Sequence, residues 1–212
     1  MMMSPFLMIS IIVLVGLIGI VSGAIWLRQY VRFAAKLHYD KGVAYLQTAD
    51  YTRAEEEFSA ALKRQSGMLE ARYGLGCTYV QQQRYREGIA MLKEVVKARP
   101  QNGVAYYNLG MAYIAIGNLD DAQEVLKTAL QFKPTMKEIH FNLSNVFLEK
   151  GDVKQASIYC ENALKLDHDY VKAQELQKQL AEIRYVAPIN LKLIRKALQD
   201  FDQNDAEFLI KL

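Results

Sequence analysis

The stretch VAYYNLGMAY, residues 104–113, decides the fold of this chain. Its apolar and small residues recur at intervals of three and four, which is the spacing of one face of an α-helix. The glycine in this stretch, Gly110, has counterparts at Gly42, Gly76 and Ser144, and these four positions are evenly spaced along the chain. A small residue that returns at a fixed interval, here of about 34 residues, indicates a chain built from copies of one structural repeat.

Four further series of positions are spaced by the same interval. They are Tyr45, Tyr79, Tyr113 and Phe147; Ala54, Gly88, Ala122 and Ala156; Ala61, Val95, Ala129 and Ala163; and Leu62, Val96, Leu130 and Leu164. Each repeat contains two amphipathic stretches of about 13 residues with a short turn between them. Pro100 and Pro134 end the second stretch, because proline cannot continue a helical hydrogen-bond ladder. We therefore predict four helix–turn–helix repeats, at residues 35–68, 69–102, 103–136 and 137–170.

The small residues of the first and second series predict where the two helices of a repeat cross. At Gly42 and Ala54 the absence of a long side chain lets two helix backbones approach closely. Tyr45 and Phe58 are then expected to fill the space beside the crossing, because protein interiors are close-packed.

These residues resemble the tetratricopeptide repeat (TPR) family, whose 34-residue helix–turn–helix unit has small residues at its eighth, twentieth and twenty-seventh positions. The resemblance covers residues 35–170 and implies an all-α TPR α-solenoid, with residues 171–185 as a C-terminal capping helix. The chain departs from the family pattern at Lys41 and Arg72, which replace apolar or aromatic residues. It also departs at Ser66 and His168, which stand where proline is expected.

The resemblance implies a concave groove lined by the first helix of each repeat. The fifth position of the repeat is aromatic throughout, which would suit an apolar peptide or helix laid along the groove. The sixth position supplies two asparagines whose amides can both donate and accept hydrogen bonds. The predicted groove residues are Tyr39, Tyr73, Tyr107, Phe141, Asn108, Asn142 and, from the ninth position, Asn145. Each type is also common in the family without a ligand, so a purely structural role is an alternative for every one.

Several functions are disfavoured by residues that the chain lacks. Family members that grip chaperone C-terminal carboxylates use basic groove residues, whereas this chain has Glu70, Val104 and Glu138 at the second position of repeats two to four. No metal, cofactor or nucleophile motif is present, so we expect no cofactor, no metal site and no enzymatic activity. His38 and His140 share one repeat position and are expected to pack within their helix pairs. A net charge of +3 gives no reason to expect nucleic-acid binding.

The N-terminal segment differs in composition from the rest of the chain. The first 27 residues carry no charge, although the chain as a whole is 23% charged. Residues 5–27 are long enough for a helix to cross a bilayer core of roughly 30 Å. Trp26 and Tyr30 follow where an interfacial aromatic belt is expected, and Arg28, Arg32 and Lys36 share one helix face at headgroup level. We therefore predict a transmembrane anchor and joint over residues 1–34 that contacts lipid through these residues.

The positive-inside rule predicts a single-pass protein with its N-terminus outside and its repeats in the cytoplasm. A cleaved signal peptide is an alternative, because Ser22-Gly23-Ala24 resembles a cleavage site, although no basic residue precedes the apolar run. A buried core helix fits this length less well. Gly19 and Gly23 have the spacing that lets two membrane helices pack closely, which suggests a homodimer.

The sequence has two further features, an amphipathic C-terminal tail and a pair of cysteines. Residues 186–212 lie outside the repeats and form an amphipathic tail that must cover its apolar face on the repeats, on a membrane or on a partner. The only cysteines, Cys77 and Cys160, are too few for a disulfide-stapled secreted scaffold.

The sequence therefore predicts a membrane-anchored adaptor or assembly factor that binds a protein or peptide through an aromatic groove. Such a protein would recruit or assemble a membrane-associated protein complex. A targeting or import receptor that binds amphipathic peptide segments is the alternative, because the same groove chemistry would serve both.

Overall fold

The computed structural model describes the backbone of residues 5–183 and the side chains of residues 19–183. By their contacts, these residues divide after Pro100 into an N-terminal half and a C-terminal half, and each half is described by itself. The predicted tail, residues 186–212, and the last two residues of the predicted capping helix, residues 184–185, lie outside the described residues.

All regular structure in the described residues is helical. The N-terminal half contains α1 (Pro5–Gln47), α2 (Tyr51–Arg64), α3 (Leu69–Gln81) and α4 (Tyr85–Ala98). The C-terminal half contains α5 (Gly103–Ala115), α6 (Leu119–Phe132), α7 (Lys137–Glu149), α8 (Val153–Leu166) and α9 (171–183). The starts of α3, α5 and α7 are evenly spaced, and so are those of α2, α4, α6 and α8. The interval found in the sequence is therefore the interval of the helices.

Each helix pair is joined by a tight turn that contains one residue with left-handed backbone. These residues are Ala49, Gln83, Gly117 and Gly151, with φ angles of 58°, 63°, 74° and 82°. The next amide bonds back to a carbonyl in the preceding helix, as Arg84 N does to Tyr79 O at 2.9 Å. Glycine adopts this conformation at little cost, whereas a side chain disfavours it. The two turns of the N-terminal half therefore carry backbone strain that the later two avoid.

Side chains cap the second helix of three repeats. Asp50, Asn118 and Asp152 each accept a hydrogen bond from an amide three residues later, at 3.2, 3.4 and 3.0 Å. An acceptor at this point satisfies one of the unpaired amides at a helix N-terminus. Arg84 holds the same position before α4 without capping it, so its side chain is available for other partners.

Phe58 fills the centre of the N-terminal half. Its side chain is fully buried, and it lies against two glycines on neighbouring first helices. A Cβ atom added to Gly42 on α1 would come within 2.8 Å of the ring, and one added to Gly74 on α3 within 2.5 Å. Real Cβ atoms do not approach so closely, so both positions need glycine for the ring to fit. The crossing predicted at Gly42 is therefore present, with Phe58 as its filler.

The C-terminal half uses a smaller filler at the same position. Leu126 is fully buried on α6, and a Cβ atom added to Gly110 on α5 would come within 2.6 Å of it. In the fourth repeat the small residue is Ser144, whose hydroxyl donates to the carbonyl oxygen of Ala156 at 2.6 Å. The core of this half also includes Ala105, Leu109, Ala112, Ala122, Ala129, Ile139, Leu143, Val146, Cys160, Ala163, Ala173, Leu176 and Leu180.

Helix α1 is one continuous element of 43 residues that extends well before the first repeat. Its C-terminal part packs against α2 and α3, beginning with the fully buried Ala35. The described side chains before that point are mostly exposed, including Ile20 at 71%, Trp26 at 65% and Phe33 at 69%. The helix therefore presents a long apolar surface that the N-terminal half leaves uncovered.

Within the described residues, no helix is both long enough and apolar enough to cross a bilayer. The predicted transmembrane helix is thus unsupported by this part of the chain. The side chains of residues 5–18, which make up over half of the predicted span, lie outside the described residues.

Candidate peptide-binding surface

The predicted groove residues of the N-terminal half lie on the first helices α1 and α3. Tyr39 and Tyr73 are both half-buried. The ring of Tyr39 packs against Phe58 with 5.9 Å between centroids, and Lys36 Nζ lies 5.9 Å from the Tyr39 centroid. Lys36 also pairs with Asp40 at 3.0 Å, so this predicted lipid contact has partners on its own helix. Tyr39 thus has one face in the core and another toward solvent.

In the C-terminal half, two predicted residues contact each other across neighbouring first helices. The side-chain amide of Asn142 on α7 donates a hydrogen bond to the hydroxyl of Tyr107 on α5, over 3.4 Å. Tyr107 is half-buried, whereas Asn142 is only 8% exposed. Asn142 therefore orients the Tyr107 side chain from a buried position and is not itself exposed to a ligand.

A second aromatic pair extends this surface toward α9. Phe141 on α7 meets Tyr170, which precedes α9, edge to face with 5.4 Å between ring centroids. Lys137 Nζ lies 4.9 Å from the centre of the Tyr170 ring and also forms an ion pair with Asp167. The lysine thus holds the tyrosine through a cation–π contact and is itself held by a carboxylate. Phe141 and Tyr170 together form a half-buried aromatic platform.

The surroundings raise the pKa of the two phenols on this surface above its ordinary value. Burial raises the pKa of Tyr107, the Glu138 carboxylate raises it further, and the hydrogen bond from Asn142 only partly opposes them. Burial and Glu138 likewise raise the pKa of Tyr170. A neutral phenol can donate and accept a hydrogen bond while its ring offers apolar area. We call Tyr107, Glu138, Phe141, Asn142 and Tyr170 the aromatic cluster.

The structure thus brings together three of the predicted site residues, Tyr107, Phe141 and Asn142. Asn108 and Asn145 are half-buried on α5 and α7. Sequence reasoning missed two members of the cluster, Glu138 and Tyr170. Tyr170 is an aromatic residue at a repeat position that is Met68, Asn102 or Met136 elsewhere, and this difference was the available signal.

The histidines lie within their helix pairs, as expected. His38 Nδ1 meets the Glu57 carboxylate at 2.5 Å, and the His140 ring packs against Tyr159 with 6.1 Å between centroids. His140 Nε2 also donates to the carbonyl oxygen of Pro134 at 3.0 Å. Among the described residues, no three His, Cys, Asp or Glu side chains come together in a way that could hold a metal ion.

The departures from the family pattern at Ser66 and Arg72 contact each other. Arg72 donates to the carbonyl oxygen of Ser66 at 2.6 Å and pairs with Glu94 at 3.1 Å. Two later side chains at the same repeat position, His140 and Gln174, also donate to the carbonyl six residues earlier. A polar residue at this position therefore secures the entry into a first helix, which explains why an apolar one is dispensable.

A polar network also links the two repeats of the N-terminal half. Arg84 pairs with Glu55 at 2.8 Å and with Glu87 at 3.0 Å, and it stacks on the ring of Tyr79 at 4.2 Å. Gln82 donates to Glu55 at 3.0 Å. Partial burial alone would raise the pKa of Glu55, but the hydrogen bonds from Arg84 and Gln82 hold it below its ordinary value. Glu55 is therefore ionised in the folded protein at neutral pH.

Repeated helix pairs with a half-buried aromatic surface define a helical-repeat scaffold of the protein-binding class. Two family models described as tetratricopeptide repeat match the chain, one over residues 26–69 and 39–102 and the other over residues 79–134 and 118–180. The chain therefore belongs to the tetratricopeptide repeat family. The predicted all-α TPR fold is confirmed, and proteins of this family are typically protein-interaction modules rather than enzymes.

Solved TPR structures resemble this chain. The part of MamA from residue 41 to its end, from Desulfovibrio magneticus RS-1, is 27% identical with a TM-score of 0.61, covering 64% of this chain and 77% of that one. YrrB, described as a TPR protein with an unusual peptide-binding site, is 20% identical with a TM-score of 0.64, covering 76% and 88%. PilF of Pseudomonas aeruginosa is 20% identical with a TM-score of 0.66, covering 74% and 72%. No curated protein matches the chain.

Proposed function

We propose that this protein is a membrane-anchored TPR adaptor, which binds a protein or peptide partner on its first helices and holds it at a membrane to recruit or assemble a complex there. The observation that carries the proposal is helix α1. It is continuous from Pro5 to Gln47, so an apolar segment and the first helix of the first repeat are one rigid element.

Support for the anchor comes from the exposed part of α1. Ile20, Trp26 and Phe33 are each more than 60% exposed on this helix, and Trp26 stacks on Tyr30 with 5.7 Å between ring centroids. Apolar side chains exposed over such a length mark a surface that binds a membrane or a protein. The uncharged sequence of residues 5–27 favours the membrane, and aromatic rings beside basic residues suit the headgroup region.

Support for partner binding comes from the aromatic cluster. Its rings are half-buried and fixed by hydrogen bonds and by ring contacts, so little side-chain entropy is lost when a ligand binds. Its neutral phenols can bond a peptide backbone, while Phe141 and Tyr170 offer apolar area. The proposed ligand is therefore a peptide or helix with an apolar face.

The membrane part is tested by fractionation of the full chain and of a variant that lacks residues 2–27. We expect the full chain to resist extraction from membranes at alkaline pH, and the shortened variant to be released. A tag at each end, probed with protease on intact and opened membranes, tests the proposed orientation with the repeats in the cytoplasm. Release of the full chain would contradict the anchor, and digestion of the repeats by protease added outside intact cells would contradict the orientation.

The partner part is tested by photo-crosslinking from the first helices in native membranes. A crosslinker at Tyr73 or Tyr107 should capture one or a few stable subunits of a complex. Matched probes at Lys93 and Glu124, which are exposed on the second helices α4 and α6, should capture none of them. Capture of many unrelated precursor segments would indicate the alternative, an import receptor. If Tyr73 and Tyr107 capture nothing beyond the control probes, the proposed binding surface is wrong.

A further inference from the structure

An open cleft of about 620 Å³ lies between α8 and α9 in the C-terminal half. Cys160 contributes to its wall from α8, and Lys178, Leu180 and Ala181 do so from α9. Cys160 Sγ also donates to the carbonyl oxygen of Ala173 at 3.1 Å, which fixes α8 against the start of α9. The two helices that form the wall are therefore fixed relative to each other, and the wall is partly apolar. None of the described residues covers it.

Helix α9 is equivalent to the first helices of the preceding repeats. It begins at residue 171, the repeat position at which α3, α5 and α7 begin, and it is described as far as residue 183. In each of those repeats a three-residue turn follows, and a second helix then packs against the first. The spacing of the helix starts would place the next second helix at residues 187–200, in the part of the chain outside the described residues.

The contacts of the earlier repeats show which side chains would enter the cleft. A Cβ atom added to Gly76 would approach Met91 and Leu92, and one added to Gly110 would approach Val125 and Leu126. The eighth position of a first helix therefore faces the seventh and eighth positions of the second helix that follows it.

In α9 the eighth position is Lys178, which lines the cleft. The seventh and eighth positions of a second helix at residues 187–200 are Leu193 and Ile194. Both are apolar, like Met91 and Leu92 of the second repeat and Val125 and Leu126 of the third.

The exposure pattern of the four second helices continues through the tail sequence. Phe58, Leu92, Leu126 and Cys160 are buried in every repeat, and so are Ala61, Val95, Ala129 and Ala163. The tail has Ile194 and Ala197 at these two positions. Glu56, Ala90, Glu124 and Ile158 are exposed in every repeat, and so are Lys63, Lys97, Gln131 and Lys165. The tail has Lys192 and Gln199 there, so its apolar and polar residues both fall in register.

We propose that residues 187–200 of the same chain occupy this cleft as the second helix of a fifth repeat, with Leu193 and Ile194 against Lys178 and Ala181. Two positions that hold small residues in the other repeats hold larger ones here. Lys178 stands where the others have Gly or Ser, and Asn190 where they have Ala or Gly. These side chains keep the two helices further apart than α5 and α6. The stem of Lys178 lies along the apolar contact while its ammonium group reaches solvent.

A paired-cysteine experiment on the full chain tests the proposal. Lys178→Cys combined with Ile194→Cys should form a disulfide within one chain under mild oxidation, because facing Cβ atoms are within bonding range. The matched control combines Lys178→Cys with Lys192→Cys, whose second position is exposed in every other repeat. We expect the first pair to form at least about tenfold more bridged chain than the control. The single variant Lys178→Cys accounts for any bridge to native Cys77 or Cys160.

Each other outcome of this experiment overturns the proposal. Equal bridging in the test and control pairs would mean that the tail has no fixed place on α9. A bridge between two chains, seen as a dimer in a denaturing gel, would assign the cleft to a second copy. Failure of the bridge to form when the oxidation is carried out with vesicles of phosphatidylcholine and phosphatidylglycerol present would assign the tail to the membrane.

A second pair of variants covers the case in which the cysteine chains fold poorly. Ile194→Asp should lower the midpoint of thermal unfolding by several degrees, because it places a charge against the apolar wall of the cleft. Lys192→Asp should leave the midpoint within about one degree, because that position faces solvent. Equal midpoints for the two variants would overturn the docking.

Discussion

The first and third repeats, one in each half of the molecule, fill the same repeat position with side chains of different size. In the first repeat the filler is Phe58, whose ring lies so close to Gly74 that no other residue fits there. In the third repeat the equivalent filler is Leu126, and Asn142 stands in the place of Gly74 and donates to Tyr107. The large ring of Phe58 thus leaves no room on α3 for the asparagine that α7 has at the equivalent position. The filler of one helix pair therefore decides whether the next first helix can contribute to a site.

The largest expected effect comes from giving the N-terminal half the asparagine of the C-terminal half. Gly74→Asn would drive a side chain into Phe58, and overpacking of this kind costs about 2–3 kcal/mol. Phe58→Leu alone should cost about 1 kcal/mol through the space it leaves. The double variant should be more stable than Gly74→Asn alone, because Leu makes room for Asn.

The free energy of unfolding of all three variants, from denaturant titrations, forms a double-mutant cycle that measures this coupling. Gly67→Asn is the control, since a Cβ atom there would meet nothing within 4 Å. Additive costs of Gly74→Asn and Phe58→Leu would contradict the explanation of the difference between the first and third repeats.

A smaller effect is expected from the hydrogen bond that joins Asn142 to Tyr107 in the C-terminal half. Tyr107→Phe removes the acceptor of the Asn142 amide, which is then buried without that partner. We expect a loss of about 1 kcal/mol in the free energy of unfolding. Tyr106→Phe, on the adjacent half-buried ring, is the matched control and should cost less. Equal losses for the two variants would show that the bond to Asn142 contributes nothing.

Substitutions in the turns should change the free energy of unfolding by a similar amount, but with opposite sign in the two halves. Gln83→Gly should stabilise the protein by about 1 kcal/mol, because glycine relieves the left-handed backbone at φ 63°. Gly117→Gln should destabilise it by about the same amount for the reverse reason. Thermal unfolding midpoints of the two variants check both signs, and a shift in the same direction for both would refute the strain argument.

The smallest expected effect concerns pH and the polar network of the N-terminal half. The folded-state pKa of Glu55 lies below its unfolded value of about 4.5, so its stabilisation is complete above that pH and is lost as the pH falls through the folded value. Glu55→Gln should therefore flatten the loss of stability below about pH 4.5 by a few tenths of a kcal/mol, since solvent screens the pair. Glu56→Gln on the exposed face is the control, and an equal flattening there would argue against the network.

The sequence was sufficient for the helices because the repeat interval is constant. The pattern that begins at Gly110 placed every helix pair and the crossing at Gly42, since small residues and apolar faces are local signals. The left-handed backbone at Ala49 and Gln83 could not be read in the same way. Neither residue is glycine, and the strain there is compensated by the packing of the helices on each side.

The aromatic cluster was only partly predictable for a related reason. Tyr107 and Phe141 were found because they share one repeat position. Glu138 and Tyr170 occupy other positions and join them through contacts between α5, α7 and the residue before α9. The burial of Asn142 likewise depends on which helices are neighbours, and this information is absent from a single repeat.

The continuity of α1 also fixes how the first repeat is rotated about the helix axis relative to the segment that precedes it. An α-helix turns by about 100° and advances by about 1.5 Å for each residue. Residues 28–34 contain neither glycine nor proline, and the helix passes through them without a break. Inserting one residue there would therefore rotate the first repeat by about a quarter-turn around the helix axis while moving it hardly at all. The number of residues in 28–34 therefore sets the angle between the N-terminal part of α1 and the binding surface of the first repeat.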